Sequence, residues 1–257
     1  KMKLKSLFLT LTLVMLYGCN TDLDDNTTQT TVSLKFAHHW DGVQVKNSGF
    51  NAFSYTNAHG TLLSIERLRY LISDVVLTKN NGQVIAIEGY SLVDLSNENT
   101  LEYSPTDLIE TGTYSNISFV FGFKNEKNID GSYTDLNAES WNVPSMLGGG
   151  YHYMQMDGKF LNAENEEQGY NYHAIRAAEN PGESPSFPQD TFFKVDLGAV
   201  IVEAGAKVNI AMNIAEWFKN PNSWSLDNYN QMLMPNSEAQ IMMYENGQNV
   251  FTLALND

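Results

Sequence analysis

The chain has 257 residues, 42% of them hydrophobic, and a formal charge of −15 from 30 acidic against 15 basic residues. So acidic a balance repels a phosphate backbone, which excludes nucleic acid as a partner, and a lone cysteine excludes disulfides within the chain. The length suits one large β domain or two small ones.

Residues 1–18, "KMKLKSLFLTLTLVMLYG", carry three lysines and then an apolar run from Leu7 to Leu16, interrupted only by Thr10 and Thr12. This is the layout of a secretion signal, too short for a membrane-spanning helix of about 20 apolar residues. Cys19 follows at once. "LYGC" has the form of a lipobox, in which a small residue precedes a cysteine acylated after cleavage, though Tyr17 is bulkier than usual there. Cys19 is the expected lipidation site, and residues 19–30, acidic and poor in apolar side chains, are the expected flexible tether. The folded domain is expected over residues 31–257.

"TVSLKFAHHW" alternates Val32, Leu34, Phe36 and His38 on one face, the period of a half-buried strand. Two strand runs, Leu68 to Thr78 and Gln83 to Ile87, flank "KNNG", and Asn81-Gly82 supplies the positive φ angles of a tight hairpin. "GTYSNISFVFGF", Gly112 to Phe123, is a further strand. The insert that follows, residues 124–150, has no sustained period and is rich in Asn, Asp and Gly, as functional or mobile connections are. "GYHYMQMDGKF" and "GYNYHAIRAA" flank an acidic loop and are expected to form a hairpin, and two more strands surround Glu203 to Ala206. "AEWFKNP", "SLDNYNQMLM" and "NSEAQIMMYENG" read as short helical turns, the last with an N-cap at Asn236 or Ser237. The expected fold is all-β: a single antiparallel β-sandwich with a few short C-terminal helices.

Covalent chemistry has little support. There is no Gly-x-Ser-x-Gly elbow, no His-Glu-x-x-His, and "LGGG" precedes a strand where a phosphate-binding loop would precede a helix. Carboxylates are too common in this chain for their number to decide about a glycosidase. Asp130, Asp135, Asn137 and Glu139 offer oxygen ligands for calcium without the spacing of a calcium loop. The expectation is therefore a binding protein and not an enzyme.

Imidazole with thioether suits Cu(I), and His152, Met154 and Met156 share one pleat parity. The competing reading makes each of the five histidines a hydrogen-bonded residue at a sheet edge, with both methionines in the core. Hairpin register bears on the choice. A turn at Leu161 to Glu164 sets His152 opposite His173, whereas a turn centred near Asn165 places His173 opposite Met156 or Gly158.

The stretches "VSLKFAHHWDG", "YTNAHGTLLSIERLRYLISDVVL", "GTYSNISFVFGF", "GGGYHYMQMDGKF", "YNYHAIR", "FFKVDLG" and "MNIAEWFKNP" together resemble the MbnP-like family, the methanobactin-associated periplasmic copper-binding proteins, in the lipoprotein form of the Bacteroidetes. The resemblance implies a β-sandwich that binds copper through histidines. It carries His38 and His173 over as ligands, with His152 a local addition; His39 and His59 match no family position. In some relatives a tryptophan of the copper site is oxidised to kynurenine by a di-haem partner of the MauG type. Many relatives have Trp-x-Trp before the Gly-Tyr strand. This chain has "SMLGGGY" there, so oxidation at that position is not expected, and Trp141 and Trp40 are the alternatives. "WFKNP" reads as structural, with Trp217 and Phe218 plugging the sandwich edge.

The leading expectation is a copper-binding protein, with Cu(I) as cargo. It is lipid-anchored to the outer membrane on its periplasmic or surface face, touches the membrane only through its lipid, and exchanges metal with a copper carrier or transporter. Two other classes stand beside it: a substrate or docking partner of a di-haem c-type cytochrome peroxidase-like protein, with Trp141 or Trp40 as electron donor, and a glycan-binding or adhesion module that has lost the metal and presents a flat aromatic platform.

Overall fold

The computed structural model describes residues 28–254, so Cys19, the leader and most of the tether lie outside the described residues. Eight strands of eight residues or more carry the fold: β1 Val32–Trp40, β2 Arg67–Lys79, β3 Val84–Asp94, β4 Gly112–Phe121, β5 Met154–Leu161, β6 Glu167–Ala174, β7 Phe193–Val202 and β8 Ala206–Asn213. They form two main sheets of an all-β sandwich. In the larger, β2 is the spine. β3 lies along one edge; along the other, β5 pairs with Arg67 to Tyr70 and β4 with Ile72 to Lys79. β6 continues the sheet beyond β5, and β7 beyond β4. In the smaller sheet β1 lies beside β8 and runs parallel to it, a departure from the otherwise antiparallel pairing.

The alternation in β1 buries Val32, Leu34, Phe36, His38 and Trp40. Their partners come from the inner face of the larger sheet. Phe36 meets Tyr70 edge-on at 5.9 Å and Phe119 at 6.0 Å between ring centres. Met154 and Met156 lie in the same cluster, fully buried, as the competing reading of the sequence has them. Trp217 and Phe218 close it from a 3₁₀ turn, Ile214–Phe218. Each such side chain contributes about 1.5–3 kcal/mol by leaving water.

Two turns differ from expectation for one reason. At the β2–β3 connection only Gly82 has a positive φ (+86°), and Lys79 N–H bonds to Gln83 O, the pattern of a three-residue loop. The β5–β6 connection is built alike, with Asn165 in the left-handed position (φ +64°) and Asn162 Oδ1 accepting from the backbone of Glu164 and Glu166. This turn pairs Leu161 with Glu167 and sets Gln155, rather than His152, Met156 or Gly158, opposite His173.

The long insert holds a short helix α1, Thr134–Ala138, and a 3₁₀ turn at Ser145–Leu147. All three glycines of "LGGG" have positive φ, and a Cβ on Gly148 or Gly150 would stand 2.4 Å from the Phe187 ring or 2.7 Å from Asn128 Oδ1. The triplet lets the chain's own neighbours approach. At the C-terminal end, α2 (Ser237–Gly247) is capped by Asn236, whose Oδ1 accepts from Ala239 N–H at 3.0 Å. "SLDNYNQMLM" is not helical: Trp224 Nε1 donates to Tyr229 O, and the segment follows turns around that contact.

Candidate metal centre

The outer face of the β2–β5–β6 ladder is polar where its inner face is apolar. Arg69, Gln155 and His173 form one cross-strand row, and Arg67, Asp157 and Asn171 the next. Gln155 Oε1 accepts twice from Arg69, at 2.9 and 2.7 Å, and Arg69 also donates to the backbone carbonyl of Glu139. Asp157 accepts from His173 Nε2 at 2.8 Å and from Asn171 at 2.6 Å and pairs with Arg67. Burial alone would raise the Asp157 pKa; the hydrogen bond and charge of His173, and then the hydrogen bonds of Asn171 and Arg67, outweigh it and hold the carboxyl at about 2.

His152 enters this face from just before β5. A regular strand with the observed register would turn it to the opposite side from His173. Instead Tyr153 and Met154 both point into the core, so the alternation is reset between them. The imidazole of His152 comes to 5.4 Å from that of His173, ring centre to ring centre. The insert supplies the roof. Trp141, held by its N–H on Leu136 O, packs 5.7 Å from the His152 ring and takes the Arg69 guanidinium over its face at 5.0 Å.

Hydrogen bonding determines which nitrogens are free. Trp141 O can only accept, so His152 Nδ1, 2.9 Å away, carries the hydrogen and Nε2 keeps its lone pair. That Nε2 is buried and has no partner. Burial lowers the His152 pKa to about 4; its bond to Trp141, next in size, opposes this, and the nearby charges of Arg69 and Arg67 add to the lowering, so the ring is neutral at pH 7. Asp157, ionised and accepting only, holds His173 Nε2–H and leaves Nδ1 as the nitrogen open to a metal, a carboxylate–histidine arrangement common at metal ligands. With nitrogen–metal distances of about 2 Å, two imidazoles sharing an ion have centres within roughly 6 Å, and these rings satisfy that. Among the described residues no group of three or more His, Cys, Asp or Glu converges to hold a metal. The donor set is a pair of imidazole nitrogens, which suits a soft monovalent ion better than a hard divalent one.

The other candidate residues lie elsewhere. His38 is on the inner side of the sandwich, its Nε2 3.2 Å from the Tyr70 hydroxyl, and the thickness of the larger sheet separates it from the pair. Burial, and then the charge of His39, lower its pKa to about 4. His39 accepts from Gly42 N–H in the turn after β1, and His59 sits exposed in a turn held by Asn57. Trp40 stacks on Tyr55 at 5.2 Å and donates to Thr56 O, away from both histidines. Asp135 accepts from Tyr90, Asn137 from Tyr151 and Asn142, and Glu139 pairs with Arg69. Of the exposed large apolar side chains among the described residues, none is aromatic. Sequence reasoning placed Trp141 outside the family's tryptophan motif and missed its position over His152. Its one available signal was the long insert that carries it.

Comparison with curated proteins found no match. Among solved structures, MbnP from Methylosinus trichosporium is similar with a TM-score of 0.53 and 12% identity, over 76% of this chain and 80% of that one. At that identity the likeness is one of fold. The sequence model of the MbnP family matches residues 29–242, the greater part of the length, and the chain belongs to the MbnP family.

Proposed function

We propose that the protein captures or delivers Cu(I), held between His152 Nε2 and His173 Nδ1 on the outer face of the larger sheet, and that it makes and breaks no covalent bond in its cargo. The observation that carries this reading is the buried, unpartnered Nε2 of His152 on a ring 5.4 Å from a second imidazole whose other nitrogen is occupied by Asp157. A buried polar atom without a partner costs about 1–3 kcal/mol, and a bound soft cation removes that cost. Family membership supports copper as the metal. On this reading the protein works in the cell envelope, lipid-anchored to the outer membrane through Cys19, and trades metal with a carrier or transporter.

Competition for Cu(I) against bathocuproine tests the assignment. Wild type is expected to withdraw one equivalent, and His152→Ala and His173→Ala each to lose most of that competition. Undiminished binding in the double variant sinks the ligand pair.

One observation favours a second role beside the first. Trp141 is fully buried against His152, with its indole Nε1 unpartnered and a cation over its ring. It is the better placed of the two candidate tryptophans for oxidation by a di-haem partner, and a product ring would lie at the copper pair.

A further inference from the structure

The strongest feature outside the histidine pair is a groove of about 630 Å³ that opens beside it, with His173 in its wall. Its apolar lining divides in two. Leu147 and Leu233 are buried, 4% and 3% exposed, and belong to the structure beneath. The surface facing solvent is made by Met146 and Met232, with the half-buried Met234 also in the wall and prolines at the rim.

Exposed methionine is otherwise absent from the described chain. Met154, Met156, Met212 and Met243 are buried and Met234 and Met242 are half-buried, whereas Met146 is 53% and Met232 77% exposed, and both line this one groove, with Met234 beside them. In "MLM" the central Leu233 turns into the protein, Met232 is left on the open side, and Met234, half-buried against the cluster of Val143, Leu147, Ile175 and Ala178, still lines the groove. Met232 is held with φ +57°, a left-handed conformation that residues with a Cβ avoid, so the chain keeps this side chain outward against its backbone preference. Met146 arrives from a different element, the 3₁₀ turn Ser145–Leu147, and its carbonyl is fastened by Gly182 N–H at 2.8 Å. Two remote segments therefore bring thioethers to one concave surface that ends at a histidine.

We infer that Met146, Met232 and Met234 form a soft-metal transfer site, which takes Cu(I) at low affinity from outside and passes it to the nitrogen of His173, or receives it on the way out. The inference rests on the histidine-pair reading of the cargo. A thioether is a neutral, polarizable donor that prefers Cu(I) and Ag(I) to hard cations and exchanges ligands without moving a proton. Transfer along this path is ligand exchange alone: the sulfur–metal bonds break as the two nitrogen–metal bonds form, with no change in oxidation state.

The test uses protein labelled with ¹³C at the methionine methyl groups and titrated with Ag(I), a soft ion that stays diamagnetic. In the His152→Ala variant, where the imidazole pair is incomplete, the methyl resonances of Met146, Met232 and Met234 are expected to shift while those of Met154, Met156, Met212 and Met243 stay. The triple variant Met146→Leu, Met232→Leu, Met234→Leu conserves volume and apolarity and removes only sulfur. It is expected to keep the equilibrium Cu(I) affinity of wild type and to release Cu(I) to bathocuproine several-fold more slowly. Unmoved groove methyls, or an unchanged release rate, overturn the transfer site while leaving the histidine pair standing. Groove methyls that shift alongside undiminished affinity in His152→Ala refute the pair and retain the thioethers as the binding site.

Discussion

Replacing Asp157 by Asn separates what the carboxylate does for the fold from what it does for the site. The amide retains an oxygen to accept from His173 Nε2–H, so the ring stays oriented, but the charge opposite Arg67 is lost. In the folded protein the Asp157 pKa falls from an ordinary 3.8 to about 2. By linkage that depression corresponds to about 2 kcal/mol of stability. Because the folded value lies below the unfolded one, the contribution is fully present above pH ~4 and disappears as pH falls toward ~2. Urea unfolding at pH 7 should therefore show Asp157→Asn less stable by about 2 kcal/mol, with the gap to wild type closing between pH 4 and 2. At pH 7 the uncharged partner makes His173 a poorer donor, and Cu(I) affinity should drop by about 10- to 100-fold. A folded variant with unchanged Cu(I) affinity would refute the claim that Asp157 orients and polarises a metal-binding imidazole. An unchanged unfolding midpoint would refute the strength assigned to its hydrogen bonds.

Three other outcomes follow from the structure. Gly158→Ala puts a Cβ 2.1 Å from Ser64 O, which also accepts from the Tyr170 hydroxyl, so β5 must shift from its neighbour; a loss of about 3 kcal/mol is expected in denaturant titration. His38, buried and lowered from 6.5 to about 4, stays neutral in the fold while the unfolded chain takes up the proton, so stability should fall as pH drops from about 6.5 toward 4. His38→Gln should flatten that slope without changing Cu(I) affinity at pH 7. In protein from native cells, peptide mass spectrometry should find any oxidised tryptophan at Trp141, which lies against His152, with Trp40 intact, since Trp40 packs away from the histidine pair on Tyr55, Phe218 and Thr56.

Much of the fold was legible because it depends on local periodicity. The alternation of Val32, Leu34, Phe36 and His38 forecast the buried face of β1, and the strand runs flanking "KNNG" forecast the β2–β3 hairpin. The parallel pairing of β1 with β8 was not legible, since strands 174 positions apart leave no mark of their partnership in either segment. The site was half legible. His152 and His173 could be named as hairpin neighbours, but their meeting depends on a break in alternation at Tyr153 and Met154, and both residues look equally apolar in sequence. His38 shows the opposite case. Its residue type and its place after an apolar strand fit a ligand, yet strand parity already turned it inward, and inward here means the Tyr70 side of the sheet. Trp141 was hidden by the insert's lack of period: only the folded path of residues 124–150 carries it onto Arg69 and His152. The glycines of "LGGG", which invited a comparison with the tryptophans of relatives, serve the packing of that same path against Phe187, Asp130 and Asn128.

The central claim is that one soft ion binds two particular nitrogens. Long-range ¹H–¹⁵N spectra of the histidine rings, recorded before and after one equivalent of Ag(I), test it most directly. The account predicts that His152 Nε2 and His173 Nδ1 shift together, that Nδ1–H of His152 and Nε2–H of His173 are retained, and that His38 is unmoved. A shift at His38 with the His152 and His173 rings unchanged would contradict it.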